Sequence, residues 1–158
     1  MKHNTAKMDL SIKIVTSVVF IMMLGFFVAS IYINGLIIAA LIMLIILIFC
    51  YLYAPTSFEI SDSRPIVYRN YGKIEFNHIT GCRAIEKKVP FTIRLWGNGG
   101  VFAGTGIFWN KLYEVFRMYI THAKQSEFVV VETERQIIVI SPENPKMFIE
   151  SWKTECPQ

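Results

Sequence analysis

From Ile14 to Ile33 the chain reads IVTSVVFIMMLGFFVASIYI, and from Leu36 to Ala54 it reads LIIAALIMLIILIFCYLYA; neither run carries a charged side chain. Each is close to the roughly 20 apolar residues that cross the bilayer hydrocarbon as a helix. The pattern predicts two transmembrane helices, 14–33 and 36–54. Only Asn34 and Gly35 separate them, a pair suited to a tight turn, so the helices are expected antiparallel, as a hairpin. A cleavable signal peptide competes for the first run, with Val28 to Ser30 as its cleavage site. Against it, the apolar stretch exceeds the roughly 7–15 residues of a signal core, and a second span follows at once.

After Pro55 the pattern shortens. SFEIS (Ser57 to Ser61), PIVYRN (Pro65 to Asn70), HITGCRAIE (His78 to Glu86) and FTIRLW (Phe91 to Trp96) are β-prone runs separated by SDSRP, NYGK and EKKVP. EVFRMYITH alternates Phe116, Met118 and Ile120 with Arg117, Tyr119 and Thr121, as a strand with one buried face would. FVVVE and QIIVIS, joined around Thr133 and Glu134, predict a hairpin. The period then changes: in SPENPKMFIESWK, Ser141 or Asn144 can cap a helix, Pro142 or Pro145 can occupy its first turn, and Phe148 and Trp152 fall on one face. About seven antiparallel strands closed by one amphipathic helix is the order of a pleckstrin-homology-like (PH-like) barrel. A lipocalin-like or OB barrel is the structural alternative.

Composition agrees with this division. The 158 residues are 53% hydrophobic, with a mean hydropathy of +0.42, and the excess lies in the first third. The chain therefore divides into an N-terminal tail (1–13), the hairpin (14–54) and a domain from residue 55 to 158. That domain has thirteen Lys and Arg against eleven Asp and Glu, a charge of +2. Its length suffices for one modest core.

Charge also gives an orientation. Lys2, Lys7 and Lys13 precede the first span against a single Asp9, the turn is uncharged, and Arg64, Arg69 and Lys73 follow the second span. By the positive-inside rule both ends are expected on the cytoplasmic side of a cytoplasmic membrane. Cys82 and Cys156 would then lie in a reducing compartment, and no Cys or His stands at zinc-finger spacing from them. The spans lack the charged groups that transport paths use. Their small residues, Gly25, Ala29, Ala39 and Ala40, suggest close helix packing, either within the hairpin or against another subunit.

LWGNGGVFAGTGIFW, Leu95 to Trp109, packs five glycines among bulky residues and raises the question of a phosphate-binding loop. Counting from Gly97 and Gly99, the sixth place of a dinucleotide fingerprint is Phe102, and where a P-loop needs lysine after its glycine the chain has Thr105. No helical pattern follows to hold an anion. These glycines are therefore expected to form a hairpin turn, bulges and close strand packing.

The N-terminal apolar pair, GNGGVFAGTGIFW, EVFRMYITH, FVVVETERQIIVI and SPENPKMFIESW together resemble the bacterial PH domain proteins, over roughly Phe58 to Trp152. The resemblance implies a PH-like fold at the cytoplasmic face of a bacterial membrane, and no catalytic residues. His78 and His122 are lone histidines without triad or metal spacing, and Glu132 and Glu134 read as a solvated turn. No cofactor or metal is expected, and the small, interleaved basic excess gives no nucleic-acid surface. Arg83, Lys87, Lys88 and Arg94 flank one loop and are the candidates for contact with anionic lipid, each adding about 1 kcal/mol of attraction. Three functions follow in order of support: a membrane-tethered module holding a protein partner, a peripheral sensor of anionic lipid, and, least supported, an enzyme.

Overall fold

The computed structural model describes residues 2–33, 35–85 and 91–155. Asn34, Lys87, Lys88 and Cys156, on which some of the expectations above rest, lie outside the described residues.

The two apolar helices are present. Helix α1 spans Leu10–Ala29 and α2 spans Leu36–Tyr53, and both are long and apolar enough to cross a membrane. Helix α1 starts four residues before the expected Ile14. Asp9 is the cause: its side chain accepts from the Ile12 N–H and caps the first turn, which draws Ser11 and Lys13 into the helix.

The seam between the helices is periodic. The least exposed positions are Ile12, Thr16, Val19, Met23 and Phe26 on α1, and Leu36, Ala40, Met43, Leu47 and Cys50 on α2. They recur at alternating steps of four and three, the spacing of side-by-side helices with interlocking side chains. Ala40 lies in this seam and Ala29 is half-buried, but Gly25 and Ala39 face outward. A Cβ on Gly25 would meet nothing within 4 Å, so Gly25 and Ala39 take no part in the packing of α1 against α2.

The rest of the chain forms two sheets and a helix. The first sheet has the order β1-β2-β3-β4, with β1 Lys2–Asn4, β2 Pro55–Ser61, β3 Arg64–Arg69 and β4 Lys73–Glu75, all antiparallel. Asp62 and Ser63 both take positive φ (50° and 59°), as a two-residue hairpin turn between right-twisted strands requires. The second sheet has the order β5-β9-β10-β8-β7-β6. Its strands are β5 Ile79–Ala84, β6 Ile93–Gly99, β7 Gly104–Asn110, β8 Glu114–Ile120, β9 Val129–Thr133 and β10 Ile137–Ile140.

Two features depart from the expected barrel of about seven antiparallel strands. The sheets remain open, with no strand ladder joining them into a closed barrel among the described residues. In addition, β10 pairs β8 in parallel, because it inserts between β8 and β9 rather than at an edge. The expected N-terminal tail contributes β1, which pairs with β2 through Lys2↔Glu59 and Asn4↔Ser57.

Helix α3, Pro145–Glu155, is the expected closing helix. Asn144 Oδ1 accepts from the Met147 N–H, and Phe148 and Trp152 are buried. Each contributes about 1.5–3 kcal/mol by leaving water. They join Phe58, Ile60 and Val67 of the first sheet and Tyr119, Val131 and Ile138 of the second in one core. A second cluster, Phe108, Phe116, Val130 and Val139 with Tyr113 and Phe128, fills the other face of the six-stranded sheet. Central strands buried on both sides explain why Tyr119, expected on a polar face, is 5% exposed.

Candidate functional site

The base of the helical pair and the β domain meet in a shared hydrogen-bonded junction. The Asp9 carboxylate that caps α1 also accepts from the Ala123 N–H at 2.6 Å, tying the start of α1 to the β8–β9 connection. Burial works to raise the Asp9 pKa, but the Ile12 and Ala123 N–H groups outweigh it and hold the carboxyl below its ordinary value. Behind it, the Ala6 N–H donates to the Ser141 carbonyl at 2.9 Å, and the Thr121 N–H donates to Ser141 Oγ at 2.9 Å.

A second tie comes from the glycine segment. Strands β6 and β7 form a hairpin whose tip, Gly100 to Ala103, reaches α1. The Phe102 N–H donates to Thr16 Oγ1 at 2.8 Å, and the Phe102 ring meets Tyr51 of α2 edge-on at 5.5 Å. Asn98 shapes the tip, its Oδ1 accepting from the Gly100 and Val101 N–H groups. Farther back, Gly97 (φ +111°) and Gly106 (φ +141°) face each other across the ladder. A Cβ on either would overlap the opposing backbone. The glycines thus serve close strand approach and a turn, as their spacing suggested.

The third tie satisfies the end of α2. Asn70 Nδ2 donates to the Tyr51 carbonyl at 2.8 Å, and the Tyr71 N–H donates to that of Leu52 at 3.0 Å. Both are among the last carbonyls of the helix, and that of Tyr51 also accepts from the Ala54 N–H at 3.1 Å.

Two cavities flank this junction. One, of about 530 Å³, lies against Lys7, Lys13, Tyr51 and Phe102. The other, of about 600 Å³, opens between α2 and the two sheets, with Phe49 and Tyr53 on one wall, Trp96 and Ile107 on another, and Arg69 and Arg117 between them. The Arg69 guanidinium lies over the Tyr53 ring at 4.6 Å, and its Nε is buried without a hydrogen-bond partner among the described residues.

Of the four basic candidates, Arg83 and Arg94 are among the described residues. Arg83 is on β5 and pairs with Glu132 at 2.9 Å. Arg94 is on β6, its guanidinium across Gly99. Strands β5 and β6 are the two edges of the six-stranded sheet, and the loop between them that carries Lys87 and Lys88 lies outside the described residues. Glu132 belongs to β9 rather than to the turn.

His122 is a core histidine, 4% exposed, whose Nδ1 accepts from the Lys124 N–H. Burial pushes its pKa down and outweighs the nearby Glu127 and Asp9, so the ring is neutral at neutral pH. Among the described residues no three His, Cys, Asp or Glu side chains are grouped to hold a metal. Arg69 and Arg117 escaped the sequence reading because the elements carrying them, β3 and β8, are far apart in the chain. Arg69 registered only as a charge following the second apolar run.

Two open sheets packed through one core, with a C-terminal helix across it, form a mainly-β domain that follows an apolar helical pair. The chain matches the model of the bacterial PH domain over residues 51–155. That match covers more than half of the sequence, and the chain belongs to the bacterial PH domain family. No curated protein and no solved structure matches it.

Proposed function

We propose that this chain is a membrane-anchored module that holds a protein partner at the cytoplasmic face of a bacterial membrane. In this reading α1 and α2 cross the bilayer, and the β domain stands at their cytoplasmic end. The basic residues on either side of the pair, Lys2, Lys7 and Lys13 before it and Arg64, Arg69 and Lys73 after it, support that side as the inner one.

One observation carries the interaction role. Strand β6 is an edge of the six-stranded sheet, and Phe91, Ile93 and Leu95 are 84, 45 and 54% exposed on or just before it. An apolar edge strand offers unpaired backbone groups and side-chain contacts to an incoming extended segment. Recruitment by strand addition is the binding mode this edge favours. A lipid sensor working through Arg83, Lys87, Lys88 and Arg94 is the alternative; it has less support because Arg83 is already ion-paired with Glu132.

The test is crosslinking in native membranes of the full chain against an Ile93→Lys/Leu95→Lys variant. Both positions are exposed, so the variant should fold. The wild type should yield a discrete crosslinked protein that the variant loses. A crosslinking pattern identical in both, or no crosslinked protein with either, contradicts the reading.

A further inference from the structure

The cavity between α2 and the sheets has an unusual charge balance. Its described lining includes two guanidinium groups, Arg69 and Arg117, and no carboxylate. Around them the walls are largely aromatic and apolar: Phe49, Tyr53, Ile74, Trp96, Ile107 and Tyr119. Arg69 is half-buried and stacked on Tyr53, with its Nε shielded from water and unbonded. The Arg117 guanidinium lies 6.0 Å from the centre of the Phe76 ring. Two cations held at an apolar wall are costly without a counter-charge. The described lining supplies none, so the complement is an anion from outside.

The position of the cavity says which anion. Phe49, 56% exposed, lies on α2 one turn before Tyr53, so one wall of the cavity continues onto the outward apolar surface of that helix. Trp96, 77% exposed, stands on the opposite wall, where an aromatic ring at a membrane boundary is favoured. A ligand filling this space has a negative head and an apolar body continuing along α2. We infer that the cavity seats one anionic phospholipid of the cytoplasmic leaflet, its phosphate between Arg69 and Arg117 and its chains along the Phe49 side of α2. The planar guanidinium forks suit phosphate oxygens. The inference rests on the reading of α1 and α2 as membrane-crossing helices.

The full chain is reconstituted in bilayers containing brominated phosphatidylglycerol or brominated phosphatidylcholine, and tryptophan quenching is compared with that of a Trp96→Phe variant. The anionic lipid should quench the Trp96 signal at about tenfold lower mole fraction, given two basic side chains at the site. Arg69→Gln/Arg117→Gln should abolish that preference, and Arg117→Gln alone should reduce it should the double variant be unstable. Arg135→Gln, in the exposed turn between β9 and β10 and outside the cavity lining, should leave it unchanged. Soluble glycerol phosphate at millimolar concentration should not relieve the quenching; relief would show a free phosphate ligand and overturn the lipid assignment. Equal quenching by both lipids, or a preference that survives loss of both arginines, overturns the site while leaving the membrane reading intact. No quenching of Trp96 by either lipid overturns the membrane placement itself.

Discussion

The helical pair and the β domain use apolar residues in opposite ways. Along α1 and α2 nearly every position is apolar, yet only a thin seam is buried, and Ile14, Phe20, Ile38 and Phe49 remain exposed within the protein. In the β domain fewer positions are apolar, but the central strands bury them on both faces, with Val129 and Val131 on one side and Val130 on the other. In the helices, hydropathy reveals the element and hides the contact face. In the sheets, alternation reveals the face and hides what covers it.

The largest expected consequence of this contrast concerns glycine. Gly106→Val should unfold or severely destabilise the β domain, by about 3 kcal/mol or more, because it adds strain at φ +141° to overlap with the Trp96 carbonyl. Gly104→Val should cost less, since its nearest neighbour is the movable Ile120 side chain at 2.8 Å. Gly25→Ala on α1, where the added methyl meets nothing, should be neutral or slightly stabilising. Thermal melts of the full chain in micelles would rank the three, and a Gly25 effect as large as that of Gly106 would dissolve the contrast.

A smaller effect sharpens the seam. Ala40 is 1% exposed, whereas its neighbour Ala39 faces outward. Ala40→Leu should overpack the helical pair by about 1–3 kcal/mol, and Ala39→Leu should change little. Equal tolerance at both positions, read by unfolding of the helical pair in detergent, would mean that the two helices do not meet along this seam.

The smallest effect is one of pH, and it belongs to the β domain and its N-terminal strand. His122 and His3 both have pKa values lowered by burial, below the ordinary 6.5. A depressed value means that the unfolded chain binds protons first, so stability is fully present above about pH 6.5 and falls as pH drops toward the folded values. The melting temperature should therefore decline between pH 7 and 5, and His122→Gln should flatten part of that decline. A melting temperature that rises on acidification would contradict the burial of these rings.

What the sequence discloses follows the same physics. The two apolar runs, the β9–β10 hairpin and the face of α3 carrying Phe148 and Trp152 are local patterns, legible from periodicity. Barrel closure and the parallel β8–β10 pairing are decided by contacts between distant segments, and no short window encodes them. Strand β1 was hidden because Lys2, His3 and Asn4 are polar; it is held by β2 and by the Ser151 hydroxyl, which lies 3.0 Å from His3 Nε2. The glycine segment was readable as a turn, but not its destination at Thr16. The Arg69 and Arg117 cavity was invisible for a related reason, since it exists only where α2, β3 and β8 converge.

Hydrogen bonds from Ala123, Phe102 and Asn70 fix the β domain to the base of the helical pair. The Phe102 N–H donates to Thr16 Oγ1 at 2.8 Å, which brings the hairpin tip against this turn of α1. A Thr16→Cys/Phe102→Cys chain, with the native cysteines replaced, should form an intramolecular disulfide rapidly and nearly completely in oxidised membranes. Val18→Cys/Phe102→Cys, about half a helical turn around α1, should not. Slow and equal crosslinking of both pairs would show a tethered, mobile domain and contradict the docked arrangement.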